Sequence, residues 1–178
     1  VDVTLNPEIK EIPEYAFAGC ASIKNINLEN VKTIGEYAFM ECGLESIDVS
    51  GAQKVDKYAF VSNRLLNDVK FGEKTDSVEE GAFAYCDPLA TLENIGFVKN
   101  IGDYAFAYTS VVEADLTSAE AIGNGAFIKE ILTPFKVTLG DDLKSLGDNP
   151  FAMCQLEPFS RVQPIKINGH KDETVSYT

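Results

Sequence analysis

The chain has 178 residues, enough for one domain with a buried core, and its 45% hydrophobic and 24% charged content is ordinary for a folded protein in water. A net charge of −13 argues against nucleic-acid binding, which requires basic patches, and disfavours adhesion to anionic lipid. No apolar run approaches the roughly 18 residues of a membrane span, and the start at Val1 reads as a trimmed sequence, so a missing leader carries no information on secretion.

From the N-terminus, the alternating segment "VTL" at 3–5 reads as a half-buried strand. Ile9 and Ile12 follow, the second closing a further short extended piece, and "YAF" at 15–17 reads as a helical turn. The same succession then returns along the chain. Strands are predicted at 26–28, 47–49, 69–71, 114–116 and 137–139. The column that starts at Ile12 continues through Ile34, Val55, Val78, Ile101, Ile122 and Leu146. A looser column runs through Ile9, Val31, Ala52, Thr75, Val98, Ala119 and Leu143.

Phe17, Phe39, Phe60, Phe83, Phe106, Phe127 and Phe151 recur at intervals of 21 to 24 residues, each after Ala or, once, Pro150. Such a period is the signature of a short-unit solenoid, in which no coil buries its own apolar residues and stacked neighbours bury them together. The first strands are expected to stack as one parallel sheet with about 4.8 Å between coils. Seven coils then span roughly 30 Å by that spacing. Two repeats depart from the pattern. Asn94 in "LEN" at 92–94 stands where an apolar residue is due, so its strand is expected to bulge, and Ala114 is small for its column.

The unit "IGEYAFMECGLESIDV", residues 34–49, is where a family becomes visible. With its other copies it resembles the BspA-like leucine-rich repeat of surface proteins from anaerobic bacteria and some protists, over about residues 1–156. The resemblance implies a curved leucine-rich-repeat solenoid of about seven coils, on or exported from a cell, that binds other proteins. Residues 157–178 leave the pattern. Asn168-Gly169 favours a tight hairpin there, either capping the stack or leading into further coils, and the stop after "TVSY" favours a cut through a longer array.

The chemistry-bearing residues read mostly as structure. Cys20, Cys42, Cys86 and Cys154 each stand three residues after a repeat Phe, where other coils have Asn63, Thr109 and Glu130. That column reads as small side chains tucked under the turn and bonding to backbone. Buried free thiols are favoured over a Cys20–Cys42 bridge, and no spacing suits zinc. His170 alone cannot form a catalytic device, "GNG" at 123–125 belongs to the repeat, and "GDDLKSLGDN" at 140–149 lacks calcium-loop spacing. Tyr15, Tyr37, Tyr58 and Tyr104 share a column with Gly81, Gly125 and Asn149; with Tyr85 and Tyr108 they are expected along a partly exposed edge that covers the helical turns, in preference to a stripe that takes protein or carbohydrate.

The outward residues of the first strands are the binding candidates. They run Asp2, Thr4, Asn25, Asn27, Ser46, Asp48, Asp68, Lys70, Thr91, Glu93, Glu113, Asp115, Lys136 and Thr138, with acids gathered in coils three to six. Solenoids characteristically bind on the concave strand face. The expectation is a monomeric, non-catalytic recognition or adhesion module with no cofactor and no metal. It docks an extracellular protein or glycoprotein and belongs to a bacterial cell-surface or secreted protein. The alternative is an architectural spacer in a longer surface protein.

Overall fold

Each repeat forms one coil carrying two short strands and a broad turn. The computed structural model describes residues 1–156, so the hairpin expected at 157–178, with His170, lies outside the described residues. The first coil holds β1 (Asp2–Val3) and β2 (Glu11–Ile12), the second β3 (Asn25–Ile26) and β4 (Thr33–Ile34), the third β5 (Ser46–Asp48) and β6 (Lys54–Val55). The fourth holds β7 (Asp68–Lys70) and β8 (Ser77–Val78), and the fifth β9 (Thr91–Glu93) and β10 (Asn100–Ile101). The sixth holds β11 (Glu113–Leu116) and β12 (Ala121–Ile122), the seventh β13 (Thr133–Leu139) and β14 (Ser145–Leu146), and β15 (Cys154–Leu156) follows.

The second strands stack in parallel as one unbroken seven-stranded sheet, β2-β4-β6-β8-β10-β12-β14. Their register runs along the predicted column, Ile12 opposite Ile34, Ile34 opposite Val55, and so on to Ile122 opposite Leu146. The first strands do not make the single sheet predicted for them. They form three ladders, β1-β3, β5-β7-β9 and β11-β13-β15. Both interruptions fall where the connection from the repeat Phe shortens. Nine residues lead from Phe17 to Ile26 and from Phe83 to Leu92, but eight from Phe39 to Ile47 and from Phe106 to Ala114. A shorter connection leaves the incoming strand out of step with the hydrogen-bonding groups of the strand before it. Lengthening is tolerated, because the ten residues from Phe127 to Val137 are absorbed in the seven-residue strand β13.

At the second interruption Asn94 takes a left-handed φ of 62° and β9 ends at Glu93. Ile95 enters the core in its place, at the head of a 3-10 turn over Ile95–Phe97. The irregularity at Asn94 is therefore a break in the ladder rather than a bulge within it. Ala114 holds its column, buried opposite Val137.

The segments around "AF" are turns and not the helical turns predicted; Ile95–Phe97 is the only helix among the described residues. Two residues before each Phe, the backbone of Tyr15, Tyr37, Tyr58, Gly81, Tyr104, Gly125 and Asn149 has φ between 50° and 60°. Two residues after it, Gly19, Glu41, Ser62, Tyr85, Tyr108 and Met153 are left-handed as well. A right-handed helix cannot run through such residues. Backbone donors alternate instead. Phe39 N–H reaches the Ala59 carbonyl of the next coil at 2.7 Å, as Tyr37 reaches Lys57 and Glu41 reaches Val61 at 3.1 Å. Ala38 and Met40 close on Gly35 and Tyr37 within their own coil. The mixed Tyr, Gly and Asn column follows from this geometry, since Gly and Asn enter the left-handed region cheaply and a Tyr there costs about 1–2 kcal/mol. Stacking offsets that cost, with Tyr15–Tyr37 and Tyr37–Tyr58 rings 5.0 and 5.1 Å apart.

The core is a ladder of near-parallel phenylalanines. Ring centroids from Phe17 through Phe39, Phe60, Phe83, Phe106 and Phe127 to Phe151 are separated by 5.0 to 5.7 Å. Phe39 to Phe127 are fully buried, and the terminal Phe17 is half-buried. Phe71 packs edge-on against Phe83 and Phe106.

The column three residues after Phe satisfies backbone inside this core. Cys42 Sγ donates to the Phe17 carbonyl at 3.1 Å, Asn63 Nδ2 to Phe39 at 2.7 Å, Cys86 Sγ to Phe60 at 3.1 Å and Cys154 Sγ to Phe127 at 3.3 Å. Each bond crosses to the preceding coil, so the thiols serve as short apolar donors. The four cysteines are free, and burial pushes the Cys42 thiol up to about 11 and Cys86 to about 12, far from a reactive thiolate at neutral pH.

Candidate interaction face

The first strands alternate inward and outward side chains, so Ile26, Ile47, Val69 and Ala114 are buried and their flanking residues face solvent. Every candidate residue on this face is exposed except Asn27, half-buried because its Oδ1 accepts the Leu5 N–H at 2.7 Å. The charges are more interleaved than their spacing along the chain suggests. Asp2 accepts from Asn25 Nδ2 at 2.7 Å, Asp48 pairs with Lys70 at 3.0 Å, and Glu113 pairs with Lys136. Each pair sits directly opposite in strand register. Partial burial pushes the Asp48 carboxyl up, but hydrogen bonds from Ser50 and then Lys70 outweigh it and hold the group below the usual carboxylate range. Asp68, Glu93 and Asp115 have no ion-pair partner among the described residues.

The break between β9 and β11 opens a cleft of about 470 Å³ on this same face. It is lined by Leu92, Asn94, Gly96, Phe97, Glu113, Asp115, Thr117 and Ser118. The 3-10 turn buries Ile95 and turns Phe97 outward, 41% exposed, so an aromatic ring stands on an otherwise polar face. Asp115 accepts the Thr117 N–H at 3.1 Å, and Asn94 Nδ2 reaches the Phe71 carbonyl. The structure thus brings Glu113 and Asp115 into one recess and strings Asn25, Asn27, Ser46, Asp48, Asp68, Lys70, Thr91 and Glu93 along the coils that precede it. Phe97 and Leu92 are the contributors that column reading passes over. The available signal is that "IGF" at 95–97 holds a large aromatic residue outside every repeat column.

A second groove, of about 460 Å³, lies on the unbroken sheet over Gly102, Gly123 and Gly147. A Cβ on any of the three would run into backbone of the preceding coil. Its polar groups are spent within the stack, as Asp103 accepts Asn124 N–H at 2.7 Å and Nδ2 at 3.0 Å, and Asn124 Oδ1 accepts Asp148 N–H at 2.7 Å. This groove is a consequence of close coil packing. The tyrosine edge is likewise occupied by itself. Tyr15, Tyr37 and Tyr58 cover one another's ring faces, and Tyr58 lies over Gly81 with its hydroxyl donated to Glu80 at 2.5 Å. A sugar stacks on ring faces, and within this run of three the faces between neighbouring rings are taken. Among the described residues no three His, Cys, Asp or Glu side chains converge as a metal site.

A sequence model described as "BspA type Leucine rich repeat region" matches the chain in six copies, over residues 1–113 and 99–169. No curated protein sequence matches it significantly. Solved structures share its fold. A leucine rich cell surface protein from Faecalibacterium prausnitzii A2-165 superposes with a TM-score of 0.61 at 20% identity, over 85% of this chain and 57% of that one. The pneumococcal vaccine antigen PcpA gives 0.53 at 14% identity, over 88% and 57%. A leucine-rich repeat protein from Bacteroides ovatus ATCC 8483 gives 0.44 at 18% identity, over 88% and 65%. The chain therefore spans about three fifths of the length of these proteins.

Proposed function

Because the chain belongs to the BspA-type leucine-rich repeat family, we propose that it is a non-catalytic recognition module of a cell-surface or secreted bacterial protein, docking an extracellular protein or glycoprotein through the outward face of its first strands. The family and fold are typically non-catalytic. Surface display is supported by the F. prausnitzii neighbour, a cell surface protein, and by the pneumococcal neighbour, a vaccine antigen.

The observation that carries the reading is the first-strand face itself, on which polar side chains are held in register on a stack whose backbone is hydrogen-bonded coil to coil. Such a surface loses little conformational entropy on docking. The test is a binding screen against extracellular matrix and mucosal glycoproteins at low and high salt, with wild type beside Asp68→Lys/Glu93→Lys. Salt-sensitive binding that falls at least about tenfold in the variant supports the face as the site. Equal binding by both forms refutes it.

The ion pairs Lys24–Glu45, Asp48–Lys70 and Glu113–Lys136 favour a second reading, in which a self-neutralised face merely keeps a spacer soluble. The spacer predicts binding by neither form.

A further inference from the structure

We propose that the cleft between β9 and β11 is an anchor pocket for an arginine side chain, flanked by an apolar residue, in an extended segment of the partner protein. The inference rests on the recognition reading above and says what that face selects.

Three features of the recess converge on this ligand. Its lining holds two carboxylates, Glu113 and Asp115, and no cation. Lys136 engages Glu113 from the next coil, whereas among the described residues Asp115 has the Thr117 N–H against its Oδ1 and no ion pair. Glu93, exposed on β9, lies opposite Lys70 in register and faces that ammonium, so the charge of the recess rests on Glu113 and Asp115. The apolar side of the recess is Phe97, 41% exposed, with the partly buried Leu92. Among the described residues, the other large aromatic side chains on the first-strand side, Phe71 and Phe135, point into the core.

A carboxylate beside an uncovered phenyl ring suits a guanidinium better than an ammonium. The guanidinium is planar, weakly hydrated, able to lie against an aromatic face and able to take a carboxylate through two N–H groups. Thr117 and Ser118 supply hydroxyls for the remaining N–H groups or for peptide backbone. A second copy of this chain is a poor occupant, since each copy carries a net charge of −13. Calcium is a poor one as well, because the lining offers two separated carboxylates and no loop carbonyl cage.

The probe is the peptide acetyl-Gly-Leu-Arg-Leu-Gly-amide, titrated into the ¹⁵N-labelled chain at low salt with amide shifts as the readout. A short peptide in one pocket is expected to bind with a dissociation constant of about 1 mM. Saturable shifts confined to residues 92–97 and 113–118 are expected, with none from the same peptide carrying Glu in place of Arg. Asp115→Asn should weaken binding roughly tenfold, and Phe97→Ser should reduce it to the level of the Glu peptide. Both substitutions are at exposed positions, so unchanged shifts in coils two to four will verify folding.

Shifts spread evenly over the exposed acids of all coils would overturn the pocket in favour of general charge attraction. Equal binding by Phe97→Ser, or cleft shifts produced by dilution of the chain without peptide, would overturn it too. The two levels of the reading fail separately. If a captured matrix protein survives Phe97→Ser but is lost with Asp68→Lys/Glu93→Lys, the face stands and the pocket falls. If the peptide seats in the cleft and no extracellular protein binds, the pocket stands and the recognition role falls.

Discussion

Replacing Lys129 with Met should stabilise the protein near neutral pH, and the gain should vanish as the pH rises past 10. Lys129 is buried, with its Nζ donating to the Thr109 carbonyl at 2.9 Å and lying 5.4 Å from the centre of the Phe135 ring. No carboxylate pairs with it among the described residues, and burial pushes its ammonium down from about 10.5 to about 8. Below pH 8 both native and unfolded chains hold the proton, so the native state carries the full cost of a buried cation. Between pH 8 and 10.5 the native amine is already neutral while the unfolded one is still charged, and stability rises with pH across that window. The gap corresponds to about 3 kcal/mol. Met of similar length removes that term and forfeits the bond to Thr109, worth about 1 kcal/mol at every pH. The variant should therefore be about 2 kcal/mol more stable at pH 7 and slightly less stable at pH 10.5. Urea unfolding of both proteins from pH 7 to 10.5 measures the difference, and other titrating groups cancel between them. Cys154, the titratable neighbour, is pushed up to about 11 and stays mostly protonated across the window. A difference that does not change with pH would refute the argument, because it would mean that Lys129 keeps its charge hydrated in the folded state.

Two further outcomes follow from the stack. Phe83→Ala, in the fully buried middle of the ladder, should cost about 3–5 kcal/mol in urea unfolding, and Phe17→Ala at the half-buried open end clearly less. Equal losses would show that the ladder does not carry the coils together. Tyr37 has φ 53°, so Tyr37→Gly should be more stable than Tyr37→Ala by about 1 kcal/mol, reversing the usual order of Ala and Gly in thermal or urea unfolding.

The columns legible in the sequence are those set by close packing. Phe, the residue before it and the Ile/Val/Leu position must face the axis in every coil, so their chemistry repeats and can be read directly. The donors under the turn were legible too, since Cys, Asn and Thr share only size and a capacity to reach a carbonyl. Backbone conformation was hidden behind side-chain identity. A Tyr column does not announce a left-handed φ, and only its exchange with Gly81, Gly125 and Asn149 hints at one. Ladder pairing was hidden as well, because it depends on connection length, and the difference between eight and nine residues leaves the inward residues Ile47 and Ala114 apolar. Lys129 reads as an ordinary surface charge until β13 brings Phe135 over it.

Both hidden features point to where a solenoid of this kind can place function. In coils two to four the backbone ladders and the Phe stack consume the available polar and apolar groups, and what remains outside is a regular, largely self-paired surface. At the column where the coil before places Phe71 in the core, Asn94 takes a left-handed φ and turns the chain outward, beside the β11 strand that the shortened connection has put out of step. Ile95 then takes the core position, and Phe97 is left 41% exposed at a cost of about 1 kcal/mol relative to full burial. A stack that gains more than this from each fully buried Phe tolerates one such loss without unfolding. An apolar group held outward by rigid neighbours is what a partner can cover, so recognition is best sought at the coil where the repeat fails.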